Sequence, residues 1–227
     1  MFTSNEQSQS WTLWRLDWAS LCPVALGGGV TAAPIGVEDA LAFMAAHYAE
    51  AFRADAADRR FLPDPMTPAK RRFLAQSDRI AFRDGDRVVG LLVGNPVDWS
   101  TYYWRTVAFL PEYQGRGLLA ALLAHTDRLM AAHGVVRVEG ECAPTNYRQL
   151  RLLLRLGYVV TSTVTSERWG AMLRLTRFLD EQAEEAFVDR YSKDAGLPRG
   201  PSTHPEPRGG RHEEVRDRYV LSSARAR

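Results

Sequence analysis

A strand that runs into a glycine-bearing turn and then into a helix constrains this chain more than any other stretch. Tyr102 to Phe109 reads as a strand, Pro111 opens a tight turn, and a helix follows from about Gly117 to His133. At the centre stands Tyr113-Gln114-Gly115-Arg116-Gly117-Leu118-Leu119. A glycine-rich turn at a helix start presents unpaired backbone N–H groups and the positive end of the helix dipole, and together these suit a phosphate or pyrophosphate. Two glycines between a strand and a helix also make an ordinary turn, so the rest of the chain has to decide between the two readings.

Upstream, Trp11-Thr12-Leu13-Trp14-Arg15-Leu16-Asp17-Trp18 alternates, which predicts a strand with Trp14, Leu16 and Trp18 on one face. It reads as an added edge strand; a wall of a binding pocket and a dimer contact are the functional alternatives. Ala25 to Gly29 reads as a glycine-rich turn before a short strand around Val30 to Ala33, which Pro34 ends. Glu38 and Asp39 at a helix start, with Leu41, Met44, Ala45, Tyr48 and Phe52 at helical spacing, predict the first helix. Pro63, Pro65 and Pro68 mark a loop into a short helix over Ala69 to Gln76, whose Lys70, Arg71 and Arg72 read first as a solvated face and alternatively as one that would accommodate an acidic group. Asp84-Gly85-Asp86 joins Arg79–Arg83 to Val88–Val93 as a hairpin, and a second turn near Asn95-Pro96 leads to the strand at Tyr102. That makes three antiparallel strands before the glycine turn.

Downstream, Leu119, Leu122, Leu123 and Met130 make a core stripe on the helix, which Gly134 stops. Val135 to Cys142 reads as the next strand, and Asn146 as the N-cap of a helix carrying Leu150, Leu153 and Leu154. Tyr158–Thr165 and Trp169–Leu175 read as a final hairpin, and Arg177 to Lys193 as a closing helix. The Pro, Gly, Ser and Arg run beyond Gly196 is too poor in large apolar residues to fold on its own. The expected divisions are residues 1–29, 30–178, 179–195 and 196–227.

With 227 residues and 45% hydrophobic content, the chain can bury one substantial core. A net charge of +2 gives no general affinity for nucleic acid or an anionic membrane. Cys22 and Cys142 lie far apart, and the five histidines are scattered, so neither a disulfide framework nor a metal site is expected. The polar N-terminus has no apolar run of leader or membrane-spanning type, and a cytoplasmic protein is expected.

Val107-Ala108-Phe109-Leu110-Pro111-Glu112-Tyr113-Gln114-Gly115-Arg116-Gly117 resembles the acyl-CoA site of the GCN5-related N-acetyltransferases (GNAT), whose signature is Q/R-x-x-G-x-G/A after a strand. Asn146 and Leu156-Gly157-Tyr158 resemble that family's N…G-F/Y element, and the resemblance runs from about Val30 to Phe178. It implies an α/β (α+β) fold, with a mixed, mostly antiparallel central sheet flanked by helices. It also implies acetyl-CoA or another acyl-CoA as co-substrate and an amine acceptor of one of three kinds: a small molecule, a peptide or a protein amine. The implied reaction is direct transfer of an acyl group, most simply acetyl, to a primary amine. A domain that binds acyl-CoA without turnover, and an enzyme using a longer acyl donor housed near Leu153 and the N-terminal tryptophans, are the alternatives. The final hairpin and the Trp-rich N-terminus would supply the surface for a homodimer.

By the same resemblance, the amides of Gly115, Arg116, Gly117, Leu118 and Leu119 hold the pyrophosphate, bordered by Gln114 and Ala120, and Asn146 contributes to the donor site. Val107 and Phe109 pair with the pantetheine arm, and the Phe109 amide faces the thioester oxygen. Glu141 stands where ribosomal-protein N-terminal acetyltransferases carry a catalytic glutamate. A charged residue in a central strand is costly unless used or partnered, so Glu141 is the expected general base and Glu139, two residues earlier on the same side, the second choice. Two positions depart from the family pattern. Leu119 replaces its last small residue, and Leu153 replaces the tyrosine used as general acid, leaving Tyr103 as the best substitute.

Overall fold

The computed structural model describes residues 14–52, 67–166 and 169–195. The strands β1 (Val24–Gly27), β2 (Val30–Pro34), β3 (Asp78–Asp84), β4 (Arg87–Pro96), β5 (Thr101–Phe109), β6 (Arg137–Cys142), β7 (Val159–Ser166) and β8 (Gly170–Phe178) form one sheet in the order β1-β2-β3-β4-β5-β6-β8-β7. Only β5 and β6 are parallel neighbours. The helices are α1 (Val37–Phe52), α2 (Pro68–Gln76), α3 (Leu118–Ala132), α4 (Tyr147–Arg155) and α5 (Glu181–Ala195). This is the mixed, mostly antiparallel α/β arrangement expected from the sequence.

Local chemistry accounts for most of these elements. Gly85, at φ +56°, turns β3 into β4. Glu38 and Asp39 lie in the first turn of α1, where carboxylates favour the helix dipole, and Ala40 and Phe43 are its fully buried residues. On α3 the buried stripe is Leu118, Leu119, Leu122, Leu123, Thr126, Leu129 and Met130, and Gly134, at φ +71°, follows the helix end. A parallel neighbour needs a crossover, and α3 provides it between β5 and β6. No helix among the described residues is long and apolar enough to cross a membrane.

The sheet differs from the sequence reading at its first edge. Residues 14–17 have no regular structure, and Trp18–Ser20 is a single 3-10 turn, so the Trp-rich segment is not a strand; Trp11 to Leu13 lie outside the described residues. Its backbone bonds locally, with the N–H groups of Trp18, Ser20 and Cys22 donating to Leu16, Asp17 and Trp18. Side-chain alternation sent Leu16 and Trp18 inward without any strand partner, and the Trp14 indole N–H donates to the Asp98 carbonyl at 2.8 Å. The edge strand is instead β1, which pairs Val24 with Ala32 and Ala25 with Thr31, inside what reads as a turn. Five antiparallel strands, not three, therefore precede the glycine turn.

β4 also runs further than expected. Asn95 and Pro96 pair with Tyr103 and Tyr102, and the turn falls later, where Asp98 Oδ1 accepts from the backbone N–H groups of Ser100 (2.8 Å) and Thr101 (2.7 Å). Just below this turn, the fully buried Tyr102 donates its hydroxyl to Asp78 Oδ2 at 2.7 Å, and the equally buried Asp78 lies 3.5 Å from Arg15. Burial, with the Asp78 charge beside it, holds the Tyr102 phenol well above its ordinary pKa. Tyr102→Phe strips a buried carboxylate of its best donor, and a loss of about 1–3 kcal/mol is expected in urea denaturation. A midpoint equal to that of the unmodified protein would show that the bond contributes nothing.

Candidate active site

β5 and β6 pair from Thr101↔Arg137 to Trp104↔Gly140 and then separate. At the same level β5 bulges. Its register against β4 slips between Val93↔Thr106 and Gly94↔Trp104, which leaves Arg105 as the extra residue. The divergence opens a cleft whose walls include Arg105, Thr106 and Val107 from β5 and Glu141 from β6, closed behind by Trp104, Leu119, Leu123, Gln149, Leu153 and Tyr158.

The β5 backbone offers its free groups to this opening. Leu110 N–H donates to Val89, so by antiparallel alternation Ala108 and Thr106 face β4, while the main-chain groups of Val107 and Phe109 face the side that β6 has left. Gln114 confirms this direction: its Nε2 donates to the Phe109 carbonyl at 3.1 Å and to the Ala51 carbonyl at 3.2 Å. Gln114 thus fastens the glycine turn to β5 and to the end of α1.

Gly115 (φ +76°) and Gly117 (φ +78°) take left-handed conformations, and α3 begins at Leu118. Gly117 gives the helix no side-chain cap, and the first intrahelical bond is Ala121 N–H to the Gly117 carbonyl at 2.9 Å. The N–H groups of Leu118, Leu119 and Ala120 therefore have no partner within the helix. A Cβ placed on Gly115 or Gly117 meets no atom within 4 Å, so the space over the turn is open. Leu119 does not crowd it, because its side chain is buried and forms part of the cleft wall. The Arg116 guanidinium lies over the Tyr113 ring, 4.5 Å from its centroid, and the Tyr113 hydroxyl donates to Asp84 at 2.7 Å.

The structure brings Tyr103, Glu139 and Glu141 together, since Tyr103 pairs with Glu139 across β5 and β6. The cluster also contains a residue the sequence reading missed. Arg174, opposite Glu141 on β8, donates to it through Nη2 at 2.8 Å and Nε at 3.3 Å, and lies 3.9 Å from Glu139. Arg137 lies 3.5 Å from Glu139. Burial, reinforced by the Glu141 charge, pushes the Tyr103 phenol up to about 12. The hydrogen bond to Glu141 in turn raises the pKa of Arg174.

Asn146 is the N-cap of α4, accepting from Gln149 N–H at 3.2 Å and donating to Gln149 Oε1 at 3.0 Å. It is not on the cleft wall; Gln149 is. Tyr158 was missed as a site residue. Its N–H donates to the Leu153 carbonyl at 3.0 Å, and it lines the same cleft as that leucine, which replaces the family tyrosine. Burial raises the pKa of that phenol strongly. The buried Trp104 indole N–H makes no close hydrogen bond among the described residues, but it stands near the Tyr158 hydroxyl and opposes the rise that burial gives that phenol. Cys142 is 1% exposed and its thiol is pushed up to about 11 by burial, so it offers no thiolate at neutral pH for an acyl-enzyme.

No curated protein matches the chain. Among solved structures, the chain is similar to ribosomal-protein-S5-alanine acetyltransferase from Vibrio fischeri, with a TM-score of 0.53 and 17% identity over 68% of this chain and 96% of that one. It is also similar to yncA, a putative acetyltransferase from Salmonella typhimurium determined with its cofactor acetyl-CoA, with a TM-score of 0.51 and 19% identity over 68% and 96% of the two chains. A putative acetyltransferase from Acinetobacter baylyi ADP1 gives a TM-score of 0.52 and 14% identity over 66% and 92%. At these identities the likeness concerns the fold. Residues 41–158, more than half of the chain, match the model of the acetyltransferase (GNAT) family, and the chain belongs to that family.

Proposed function

We propose that this protein transfers an acyl group, most simply acetyl, from its coenzyme A thioester to a primary amine by direct attack. The observation that carries the reading is the open glycine turn at the end of β5. The amides of Leu118, Leu119 and Ala120, which have no partner within the helix, join those of Gly115 and Gly117 beside a space that a side chain at either glycine would enter, which fits a pyrophosphate. Arg116 can swing from Tyr113 to add charge. Asn146 acts by shaping the α4 start and Gln114 by holding the turn, each at one remove from the donor.

The thioester supplies an acyl carbon with a good leaving group. Glu141 is level with the bulge, because its neighbour Gly140 pairs with Trp104. A base must lie beside the reacting carbon, so the oxyanion donor is better assigned to the Val107 N–H than to Phe109, which sits at the pyrophosphate end. Phe109 N–H is left to the pantetheine amides. Glu141, held in place by the Arg174 guanidinium, takes the proton of the attacking amine directly or through water, with Glu139 behind it. Tyr103 faces Glu141 and orients it. Tyr158, set in the wall beside Leu153, passes a proton to the leaving sulfur and regains one from the ammonium product, so that no tyrosinate is left buried.

Calorimetric titration with acetyl-CoA, followed by thiol release against a panel of amines, tests the reading. Saturable binding and amine-dependent release are expected; no heat with any acyl-CoA would end it. Binding without release across the panel would instead favour a non-catalytic acyl-CoA-binding domain, the reading that Leu153 supports. Tyr158→Phe is expected to lower kcat about tenfold, below the usual range for proton transfer because the ammonium product can also protonate the thiolate. An unchanged kcat at unchanged acetyl-CoA affinity removes Tyr158 from the reaction.

A further inference from the structure

The guanidinium groups around the cleft are not equivalent. Arg174 is committed to Glu141 and Glu139, and Arg137 lies 3.5 Å from Glu139 and 3.7 Å from Asp98. Arg105 has no ion pair among the described residues, although it is exposed on the cleft wall. As the extra residue of the β5 bulge, it is released from the cross-strand pairing that occupies its neighbours.

Arg105 is nevertheless held in place. Its Nε donates to Oδ1 of Asn95, which is only 3% exposed and is itself anchored through Nδ2 to the Pro96 carbonyl at 2.8 Å. The guanidinium plane lies over Phe73 of α2, 5.2 Å from the ring centroid. These contacts use one N–H and one face. The two Nη groups, with four N–H donors in a fixed fork, have no hydrogen bond or ion pair among the described residues, and a fork of that kind matches a carboxylate. Much of the ordering cost of binding is already met, since the side chain is fixed before the anion arrives.

The anion is not the donor's pyrophosphate. Phe109 lies four residues further along β5, about 13 Å at ordinary strand rise, and the glycine turn lies beyond it. The pantetheine arm between them is uncharged. An anion at Arg105 must therefore come with the acceptor, and across the same opening Glu141 awaits its ammonium group.

Building on the transferase reading, we infer that the acceptor is a small amine that also bears a carboxylate, of the amino-acid class. Its carboxylate sits on the Arg105 fork and its amine points towards Glu141. Phe73 of α2, under the guanidinium, completes Arg105's orientation, which is the structural use of a helix whose basic residues alone did not identify a ligand.

The test compares thiol release from acetyl-CoA with free amino acids, including β- and γ-amino acids, and with their carboxamides. The free acid of the best acceptor is expected to exceed its amide in kcat/KM by about 10- to 100-fold, the range of one charge-assisted fork. In Arg105→Gln that ratio falls to near one, and Arg105→Lys restores part of it; the KM for acetyl-CoA reports on the integrity of both variants. Equal use of acid and amide overturns the inference, as does a loss in Arg105→Gln that is the same for both. Turnover of neutral amines alone sinks it while leaving the transferase intact. Acetyl-CoA binding with no release from any amine sinks both.

Discussion

Glu141→Gln is expected to lower kcat/KM for the amine by about 10²- to 10⁴-fold at neutral pH, with acetyl-CoA affinity unchanged. The amide has the carboxylate's shape and can still accept from Arg174, so the fold at the β6–β8 ladder is kept. What it cannot do is take a proton. At neutral pH an alkylamine is almost entirely protonated, and the variant must wait for the small free-base fraction. Its rate should therefore climb about tenfold per pH unit towards the amine's own pKa, narrowing the gap to the unmodified enzyme. Tyr103, held near 12, keeps its proton over this range and adds no limb of its own. If rate and pH profile are both unchanged, Glu141 is not the base, and Glu139, 3.5 Å from Arg137, becomes the carboxylate to replace next.

How much of this site could be read from the sequence follows from the range over which each feature is determined. The Asp84–Asp86 hairpin, the start of α3 after Gly117 and the Asn146 cap are set within a few residues, and each is found where the sequence places it. The Trp14–Trp18 segment misled because alternation fixes which side chains turn inward, not whether the backbone has a partner. β1 was hidden for the opposite reason: four residues, Val-Ala-Leu-Gly, carry too little pattern to distinguish a strand from the turn that follows. Arg174 enters the site only through strand register, which no local signal encodes, and the Gly157-Tyr158 element marked Tyr158 without showing that it lines the cleft beside Leu153. Gly94 is similar. Nothing near it explains a glycine in a central strand, but a Cβ there would lie 2.5 Å from a Tyr102 ring carbon and 2.7 Å from the Trp104 ring.

Gly117→Asp should weaken acetyl-CoA binding by at least about 100-fold, equivalent to losing one or two charge-assisted hydrogen bonds, while leaving the protein folded. Three effects combine. A non-glycine residue at φ +78° costs about 1–2 kcal/mol. Against this, a carboxylate at the N-cap can accept from the orphan amides of Leu119 and Ala120 and complements the helix dipole, worth about 0.5–2 kcal/mol. The net change in stability is therefore small and should shift the melting temperature by only a few degrees. The same carboxylate, however, projects into the open space over the turn and satisfies the donors that an incoming pyrophosphate would use. Gly117→Ala separates the contributions, because it bears the same backbone strain without the charge; it should be the less stable of the two variants and yet retain more affinity. Calorimetry with acetyl-CoA and thermal denaturation of both proteins give the comparison. An aspartate variant that binds acetyl-CoA as tightly as the unmodified protein would mean that the α3 N-terminus does not hold the donor, and the transferase reading would lose its anchor.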